Sequence, residues 1–285
     1  KIGTPKDLCL IRINICLFAA RRCTDNLMSA DKERTALDEN GFFFTEKIFS
    51  NENTKNAREG LWEVIQGNYD TGVEPESRFW NPGDDPKSII KIDKPHLCNT
   101  ALFNLITDKN FGKELARVTG ASMIQAWHSQ AVWKPSGGGE LGNAGWHRDI
   151  QYWPFWKPEG VFTAWIALTN VEKDSGPVRY IAGSNQWDSV EGLDFFDKRI
   201  SKQETILKDK HSDYQVFQAE IEEGSVSIHN SGVYHSSIAN VSGSPRVGMV
   251  VHFCTDKAER IEISGENSDY LDMVNDESVC PILYK

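Results

Sequence analysis

The residues of this chain best suited to metal chemistry lie in the segment Trp146-His147-Arg148-Asp149. Side chains at positions i and i+2 of a β-strand project from the same face, so His147 and Asp149 could bind one ion together. A third ligand has to come from elsewhere in the chain, and His235 is the candidate. Two histidines and one carboxylate suit Fe(II) and leave adjacent coordination positions open for a cosubstrate and dioxygen. The pattern therefore predicts a catalytic metal site rather than a structural one.

An arginine spaced for anion binding follows the candidate ligand His235. The intervening run carries Asn240 and Ser242 and ends at Arg246, which opens an apolar run over residues 247–253. This pattern predicts strand, turn and strand, so that Arg246 folds back toward the metal across a hairpin. A guanidinium group clamps a carboxylate through two parallel hydrogen bonds. The predicted ligand is a small diacid.

The other histidines supply alternatives to this assignment. His229 competes with His235 for the place of the third ligand, although the Asn, Ser and Arg spacing follows only His235. The remaining histidines are expected to be hydrogen-bonded structural or surface residues; these are His96, His128, His211 and His252.

The elements that must position these residues are strands in the second half of the chain. Residues 53–65 and 104–118 have helical apolar spacing, and Gly120 suits a C-terminal cap. Beyond these helices, β-branched and aromatic runs alternate with turn residues; they cover 124–133, 161–171, 178–181, 215–221, 225–229 and 246–254. The pattern predicts an all-β core of two packed antiparallel sheets, a jelly roll, with flanking N-terminal α-helices. Residues 137–139 and 201–212 are predicted to be flexible insertions.

Aromatic residues are dense beside the metal motif: Trp146, Tyr152, Trp153, Phe155 and Trp156. Alternation along a strand would divide them between two faces, and most are expected in the core, where aromatic side chains dominate burial. Trp146, Tyr152 and Trp153 are the candidates for the wall of a substrate pocket.

Composition limits the classes of partner. With 285 residues, 39% hydrophobic and 25% charged, the chain is long enough for one globular enzyme domain. A formal net charge of -10 argues against nucleic acid and anionic membranes as partners, and the expected partner is a small molecule. Six cysteines in a chain of this length do not form a disulfide scaffold, which predicts an intracellular protein. The sequence does not predict the oligomeric state.

The first 27 residues differ from the rest and are predicted to be a leader or poorly ordered segment, with a single domain over 28–285. This segment begins with Lys1, and its apolar run is interrupted by Arg12, so stable membrane insertion is not expected. It could be a targeting remnant, which would make the protein organellar rather than cytoplasmic. Met28 is an alternative start, and no metal site is expected at Cys9, Cys16 and Cys23.

Several blocks of residues, in order, resemble the phytanoyl-CoA dioxygenase family of Fe(II)- and 2-oxoglutarate-dependent oxygenases, from about Met28 to Phe253. The opening block includes Asp38-Glu39-Asn40-Gly41-Phe42. The middle blocks are His128-Ser129-Gln130 with Lys134-Pro135, Gln151-Tyr152-Trp153-Pro154-Phe155, Thr163 to Leu168, Ser175-Gly176-Pro177-Val178 and Gly183-Ser184. One departure is Ala182-Gly183-Ser184-Asn185, which stands where the family usually has Pro-Gly-Ser-His.

The resemblance implies a cupin-like double-stranded β-helix and a set of site residues. It implies the iron ligands His147, Asp149 and His235, and so favours His235 over His229. It further implies that the distal carboxylate of 2-oxoglutarate is bound by Arg246 and Ser237, with further cosubstrate contacts from Gln130, Trp165 and Lys91. The implied cofactors are Fe(II), 2-oxoglutarate and O2, with ascorbate as an optional reductant.

The implied activity is oxidation of an unactivated C–H bond of a small-molecule metabolite, by hydroxylation, desaturation or ring closure, with release of succinate and CO2. An acyl-CoA 2-hydroxylase of the phytanoyl-CoA type is one alternative. A zinc hydrolase could use the same three ligands to activate water, although Arg246 and Gln130 would then have no role. A non-catalytic cupin-like protein that binds a metal or ligand is a further alternative.

Overall fold

The computed structural model describes residues 31–261 and 272–285. The predicted leader over residues 1–27, with Cys9, Cys16, Cys23 and the alternative start at Met28, lies outside the described residues. Among the described residues, no helix is both long enough and apolar enough to cross a lipid bilayer.

Helices dominate the first half of the chain, but three strands of the larger sheet lie among them, so the prediction that the helices precede the sheet is only partly right. They comprise α1 (residues 31–40), α2 (Asn51–Gln66), α3 (Thr100–Ile106), α4 (Lys109–Thr119) and the later α5 (Ile200–Lys210). The one helix predicted over 104–118 is in fact divided into α3 and α4. The reason is Asp108, whose side chain accepts hydrogen bonds from the backbone N–H groups of Asn110 and Phe111 and so starts a new helix.

Two antiparallel sheets form the core and confirm the predicted jelly roll. The larger sheet has the strand order β1-β9-β6-β11-β4-β3-β2, with β12 also pairing with β4. Its strands are β1 (Phe42–Phe44), β2 (Ser77–Arg78), β3 (Ile90–Asp93), β4 (Ile124–Lys134), β6 (Val161–Ala167), β9 (Val226–Asn230), β11 (Arg246–Thr255) and β12 (Ile282–Tyr284). The smaller sheet has the order β5-β10-β7-β8, made of Ala144–His147, His235–Ser237, Val178–Ile181 and Val216–Gln218.

The segment predicted to be a flexible insertion over 201–212 is instead mostly the helix α5, and that prediction was wrong. Its buried side chains are Ile200, Gln203 and Leu207, which share one helical face. The Gln203 side chain donates hydrogen bonds to the carbonyl groups of Asp194 and Asp197. The helix therefore supports the loop that precedes it.

The largest hydrophobic cluster includes side chains of α2, α3, α4 and the larger sheet, such as Leu61, Leu105 and Phe253. A second cluster joins the two sheets and includes Trp165 and Tyr180. The space between the two sheets also contains the residues singled out by the sequence.

Candidate metal centre

His147 and His235 are brought together by the pairing of β5 with β10, in which they are direct cross-strand partners. The strand β5 ends at His147, and Asp149 begins a short 3-10 turn over residues 149–152. The predicted juxtaposition of His147 and Asp149 is therefore achieved by a strand end and a turn rather than by one continuous strand. One ligand atom from each of His147, Asp149 and His235 lies within 4.8 Å of the others.

Hydrogen bonds at the far side of each imidazole orient both histidines. The Nδ1–H of His147 donates to the carbonyl of Gly145 (2.8 Å), and that of His235 donates to the carbonyl of Val233 (3.1 Å). The unprotonated Nε2 atoms face Asp149 Oδ1, at 3.9 Å from His147 and 3.6 Å from His235. Burial lowers the pKa of both histidines, which favours the neutral form that a metal requires.

The second carboxylate oxygen of Asp149 is held by other residues. Thr163 Oγ1 donates to Asp149 Oδ2 at 2.6 Å, and His229 Nε2 lies 3.0 Å from the same oxygen. Burial opposes ionisation, but the nearby His235 and His229 hold the pKa of this carboxyl well below its usual range. His229, the competitor for the third ligand, thus contacts the outer oxygen of Asp149, and only Oδ1 faces the other two donor atoms.

Arg246 is the first residue of β11 and is almost fully buried, with 2% of its surface exposed. Its Nε and Nη1 atoms have no hydrogen-bond partner within the described part of the chain. The guanidinium carbon lies 4.9 Å from the Trp165 ring. Burial lowers the pKa of Arg246 to about 10. Because buried polar groups are nearly always paired, these orphaned donors indicate an anion that belongs in the cavity.

The route by which Arg246 reaches the metal centre differs from the sequence prediction. His235 and Arg246 were expected to face each other across a hairpin, but β10 pairs with β5 and β7, whereas β11 pairs with β4 and β6. The two strands belong to opposite sheets. Arg246 and His235 therefore line one cavity from opposite sides of the sandwich.

The other cosubstrate contacts implied by the resemblance line this same cavity: Ser237, Gln130, Trp165 and Lys91. They come from four different strands, so only the folded sandwich brings them together. Lys91 Nζ lies 3.8 Å from Asp93 Oδ1 and 4.3 Å from the centre of the Phe79 ring. Burial lowers the pKa of Lys91.

None of the three candidate wall residues lines the cavity that the described residues form around the metal donors. Trp146 is fully buried in a separate cluster, because it precedes His147 on β5 and alternation turns it to the opposite face. Trp153 packs edge-on against Trp127 with ring centres 4.8 Å apart. Tyr152 is 39% exposed, and its ring centre lies 5.9 Å from that of His147.

Sequence reasoning missed Phe195, which lines the cavity with its ring centre 5.0 Å from that of His147. Its loop is held by hydrogen bonds from Phe195 N to the Tyr152 hydroxyl and from Gly145 N to the Phe195 carbonyl. No periodicity marks this residue, because it lies in a loop. Thr163 and His252 also line the cavity, although the sequence indicated Thr163 only as the start of a family-like block and His252 only as a structural or surface histidine.

The donor set and the cavity define a metal-dependent oxygenase of the jelly-roll type. Two neutral imidazoles and one carboxylate suit Fe(II). The Nε and Nη1 atoms of Arg246, which lack partners among the described residues, suit a carboxylate anion such as one end of 2-oxoglutarate. The residues present therefore fit both the metal and the cosubstrate.

The phytanoyl-CoA dioxygenase (PhyH) family profile matches residues 31–248, so the chain belongs to this family of Fe(II)- and 2-oxoglutarate-dependent oxygenases. This match confirms the resemblance predicted from the sequence blocks. No curated protein matches the chain significantly by sequence comparison.

Solved structures with the same fold are similar over most of the chain. The non-heme alpha ketoglutarate dependent carbocyclase SnoK from nogalamycin biosynthesis is 18% identical, covers 88% of this chain and 95% of its own, and superposes with a TM-score of 0.67. EctD from S. alaskensis with bound Fe is 18% identical over 79% of this chain and 76% of its own, with a TM-score of 0.61. EvdO2 from Micromonospora carbonacea var. aurantiaca, complexed with 2-oxoglutarate, is 15% identical over 83% and 95%, with a TM-score of 0.57.

Proposed function

We propose that this protein oxidises a C–H bond of a free small-molecule metabolite, with hydroxylation as the default outcome, and releases succinate and CO2. His147, Asp149 and His235 hold Fe(II), and Arg246 and Ser237 bind the C5 carboxylate of 2-oxoglutarate. The observation that carries the proposal is a single cavity lined by three converging metal donors and by a buried guanidinium group whose Nε and Nη1 lack partners among the described residues.

Bound iron with 2-oxoglutarate and O2 would supply the oxidising chemistry, and the chain supplies position and environment. Gly145 and Val233 fix the imidazole tautomers through their carbonyl groups, so that both Nε2 atoms are free to bind metal. Thr163 and His229 restrain Asp149 Oδ2 and leave Oδ1 for the metal. Further proposed contacts to the cosubstrate come from Gln130, Trp165 and Lys91.

The proposed substrate is bound at the apolar part of the cavity, where Phe195, Val132 and Ile89 line the wall. Apolar walls exclude water and hold the target carbon near the metal, which is the main task left to the protein in this chemistry. The net charge of -10 favours a free metabolite over a polyanionic CoA ester. The runner-up is an acyl-CoA 2-hydroxylase, and the same succinate assay with free acids and their CoA esters separates the two.

We also propose a single catalytic domain over residues 28–285 and a reducing, intracellular location. The described cysteines Cys98, Cys254 and Cys280 are all free thiols. Burial raises the pKa of these thiols, to about 12 for Cys98 and Cys254 and about 11 for Cys280, so they are inert in the folded protein. Unpaired thiols and a ferrous cofactor are both at home where reductants are plentiful.

The deciding experiment is anaerobic absorption spectroscopy of the Fe(II)-loaded protein during titration with 2-oxoglutarate. A weak visible charge-transfer band is expected, because a 2-oxo acid chelated to Fe(II) absorbs there, and the His147→Ala variant should not develop it. Succinate release on addition of candidate metabolites then identifies the substrate. Bound iron without the band, combined with hydrolysis by the zinc-loaded protein, would instead support the hydrolase alternative.

A further inference from the structure

Lys134 is a fully buried cation at the end of β4, where no motif assigned it a role. In the pairing of β4 with β11 it stands directly opposite Arg246. Its exposed fraction is 0%, and the charges of the described residues that act on it most are all positive, from Arg246, Lys198 and Arg179. Burial lowers the pKa of Lys134 well below its ordinary value, and the charge of Arg246 adds to this effect. Two adjacent buried cations without a described anion are unfavourable unless a ligand supplies negative charge.

The hydrogen bonds of Lys134 determine what Ser237 can do. Lys134 Nζ donates to Ser237 Oγ and to the carbonyl of Ile238, both at 2.6 Å. Because Lys134 Nζ is the donor in this contact, Ser237 Oγ is the acceptor, and the hydrogen of the serine hydroxyl is left for another group. None of the described hydrogen bonds is donated by Ser237 Oγ, and Ser237 lines the cavity that also contains Arg246.

We propose that Lys134 is a positioning residue for the cosubstrate: its ammonium group holds Ser237 so that the serine hydroxyl donates a hydrogen bond to the carboxylate bound by Arg246. Lys134 itself does not line the cavity, so it acts through Ser237 and through its charge. The inference rests on the proposed 2-oxoglutarate site and deepens it.

The test is isothermal titration calorimetry of 2-oxoglutarate into anaerobic protein loaded with Zn(II), which reports binding without turnover. Lys134→Met should raise the Kd for 2-oxoglutarate about 10- to 30-fold, the loss expected for one charge-assisted hydrogen bond. Zn(II) affinity should not change. The matched control is Lys94→Met, because Lys94 is another buried lysine, but it pairs with Glu76 and does not line the cavity. This control should bind 2-oxoglutarate like the wild type.

Titration with 2-oxopentanoate distinguishes a purely structural role for Lys134 from the proposed role in binding the C5 carboxylate. This compound has the same chelating end as 2-oxoglutarate but no C5 carboxylate. Wild type and Lys134→Met should bind this monoacid equally, whereas a distorted cavity would weaken both ligands. Ser237→Ala should weaken 2-oxoglutarate binding similarly. The double variant with Lys134→Met and Ser237→Ala should lose little more affinity, because both replacements remove the same hydrogen bond to the C5 carboxylate. If the losses of binding free energy in the two single variants were fully additive, Lys134 would not act through Ser237, and the inference would be refuted.

Each failure has a distinct signature. If the wild type does not bind 2-oxoglutarate, the proposed function fails. If the wild type binds it and Lys134→Met binds equally well, only the role of Lys134 fails. Should Lys134→Met not fold by circular dichroism, Ser237→Ala and Lys134→Gln carry the test. Wild-type affinity in either of those folded variants would then refute the inference.

Discussion

Replacing Arg246 with methionine should have opposite effects on the stability of the free protein and on cosubstrate binding. In the free protein the guanidinium group is 2% exposed, and its Nε and Nη1 have no partner among the described residues. Removing a buried charge that lacks a partner is neutral or stabilising, whereas removing one partner of a buried charge pair costs several kcal/mol. Arg246→Met should therefore leave the free energy of unfolding unchanged or slightly raised.

Binding of 2-oxoglutarate should weaken strongly in the same variant. Two charge-assisted hydrogen bonds from Nε and Nη1 would be lost, and a loss of about 3–4 kcal/mol corresponds to roughly 150- to 700-fold in Kd. The consequence for stability follows from linkage. At a concentration of 100 times the wild-type Kd, the cosubstrate stabilises the wild type by about 2.7 kcal/mol, but a variant with a Kd weakened about 300-fold gains only about 0.2 kcal/mol.

The assay is urea unfolding of the Zn(II)-loaded protein with and without 2-oxoglutarate, supported by direct calorimetric titration. The matched control is Arg179→Met, because Arg179 is also largely buried but pairs with Glu204 and lies outside the cavity lining. That control should lose stability as the free protein and keep the cosubstrate-linked gain. The reasoning is refuted if Arg246→Met destabilises the free protein by more than about 2 kcal/mol, the cost of breaking a satisfied buried pair, or keeps the full gain.

Three further predictions concern the metal, the cosubstrate wall and pH. His235→Ala should abolish metal binding, whereas His229→Ala should weaken it only about 10- to 100-fold, as expected for a residue that orients a ligand. Metal affinity is measured by competition titration with a metal-binding dye. Equal losses of affinity in the two variants would show that the assignment of His235 as the third ligand is wrong. Gly248→Ala should weaken 2-oxoglutarate binding about 10-fold by calorimetry, a cost of about 1.4 kcal/mol, because the added Cβ would clash with the indole ring of Trp165. Gly243→Ala, whose Cβ meets no atom within 4 Å, should have no effect. Burial lowers the pKa of His96 from 6.5 to about 4. As the pH falls, His96 therefore binds a proton in the unfolded chain before it does so in the folded protein. The contribution of His96 to stability is complete above pH 6.5 and should fall by up to about 3 kcal/mol as the pH drops toward 4. The free energy of unfolding is measured with urea at pH 7 and pH 4.5 for the wild type and for His96→Gln. The same pH dependence in both proteins would contradict the prediction.

The parts of the site that could be predicted from sequence are those with local spacing. His147 and Asp149 are only two residues apart, so either a strand or a strand end followed by a turn brings both to one ion. The antiparallel jelly roll was predicted from turn residues between β-branched runs, because alternation and turn chemistry are local properties. The segment 201–212 was wrongly predicted to be a flexible insertion. The helix α5 has only three buried side chains, so its sequence is mostly polar and charged and its apolar pattern is too weak to indicate a helix.

The parts that could not be predicted depend on register between distant strands. The sequence indicated that Arg246 returns to the metal, but the hairpin interpretation failed because the chain crosses to the other sheet between Ser237 and Arg246. The position of Lys134 opposite Arg246 is likewise a property of strand pairing. No pattern within one strand specifies its partner across a sheet, since register is set by burial of whole faces and by turn geometry.

The pairing of Lys134 with Arg246 connects the fold to the proposed chemistry. Like charges directly opposite each other in a sheet are destabilising, and burial makes their repulsion larger. The described chain supplies no carboxylate to either side chain, so a dianionic cosubstrate would relieve a cost already present in the empty protein. Binding energy is then concentrated at the C5 end of 2-oxoglutarate, away from the reacting atoms. A diacid is selected over a monoacid for this reason, and the selectivity should disappear when Lys134 and Arg246 are both replaced by methionine.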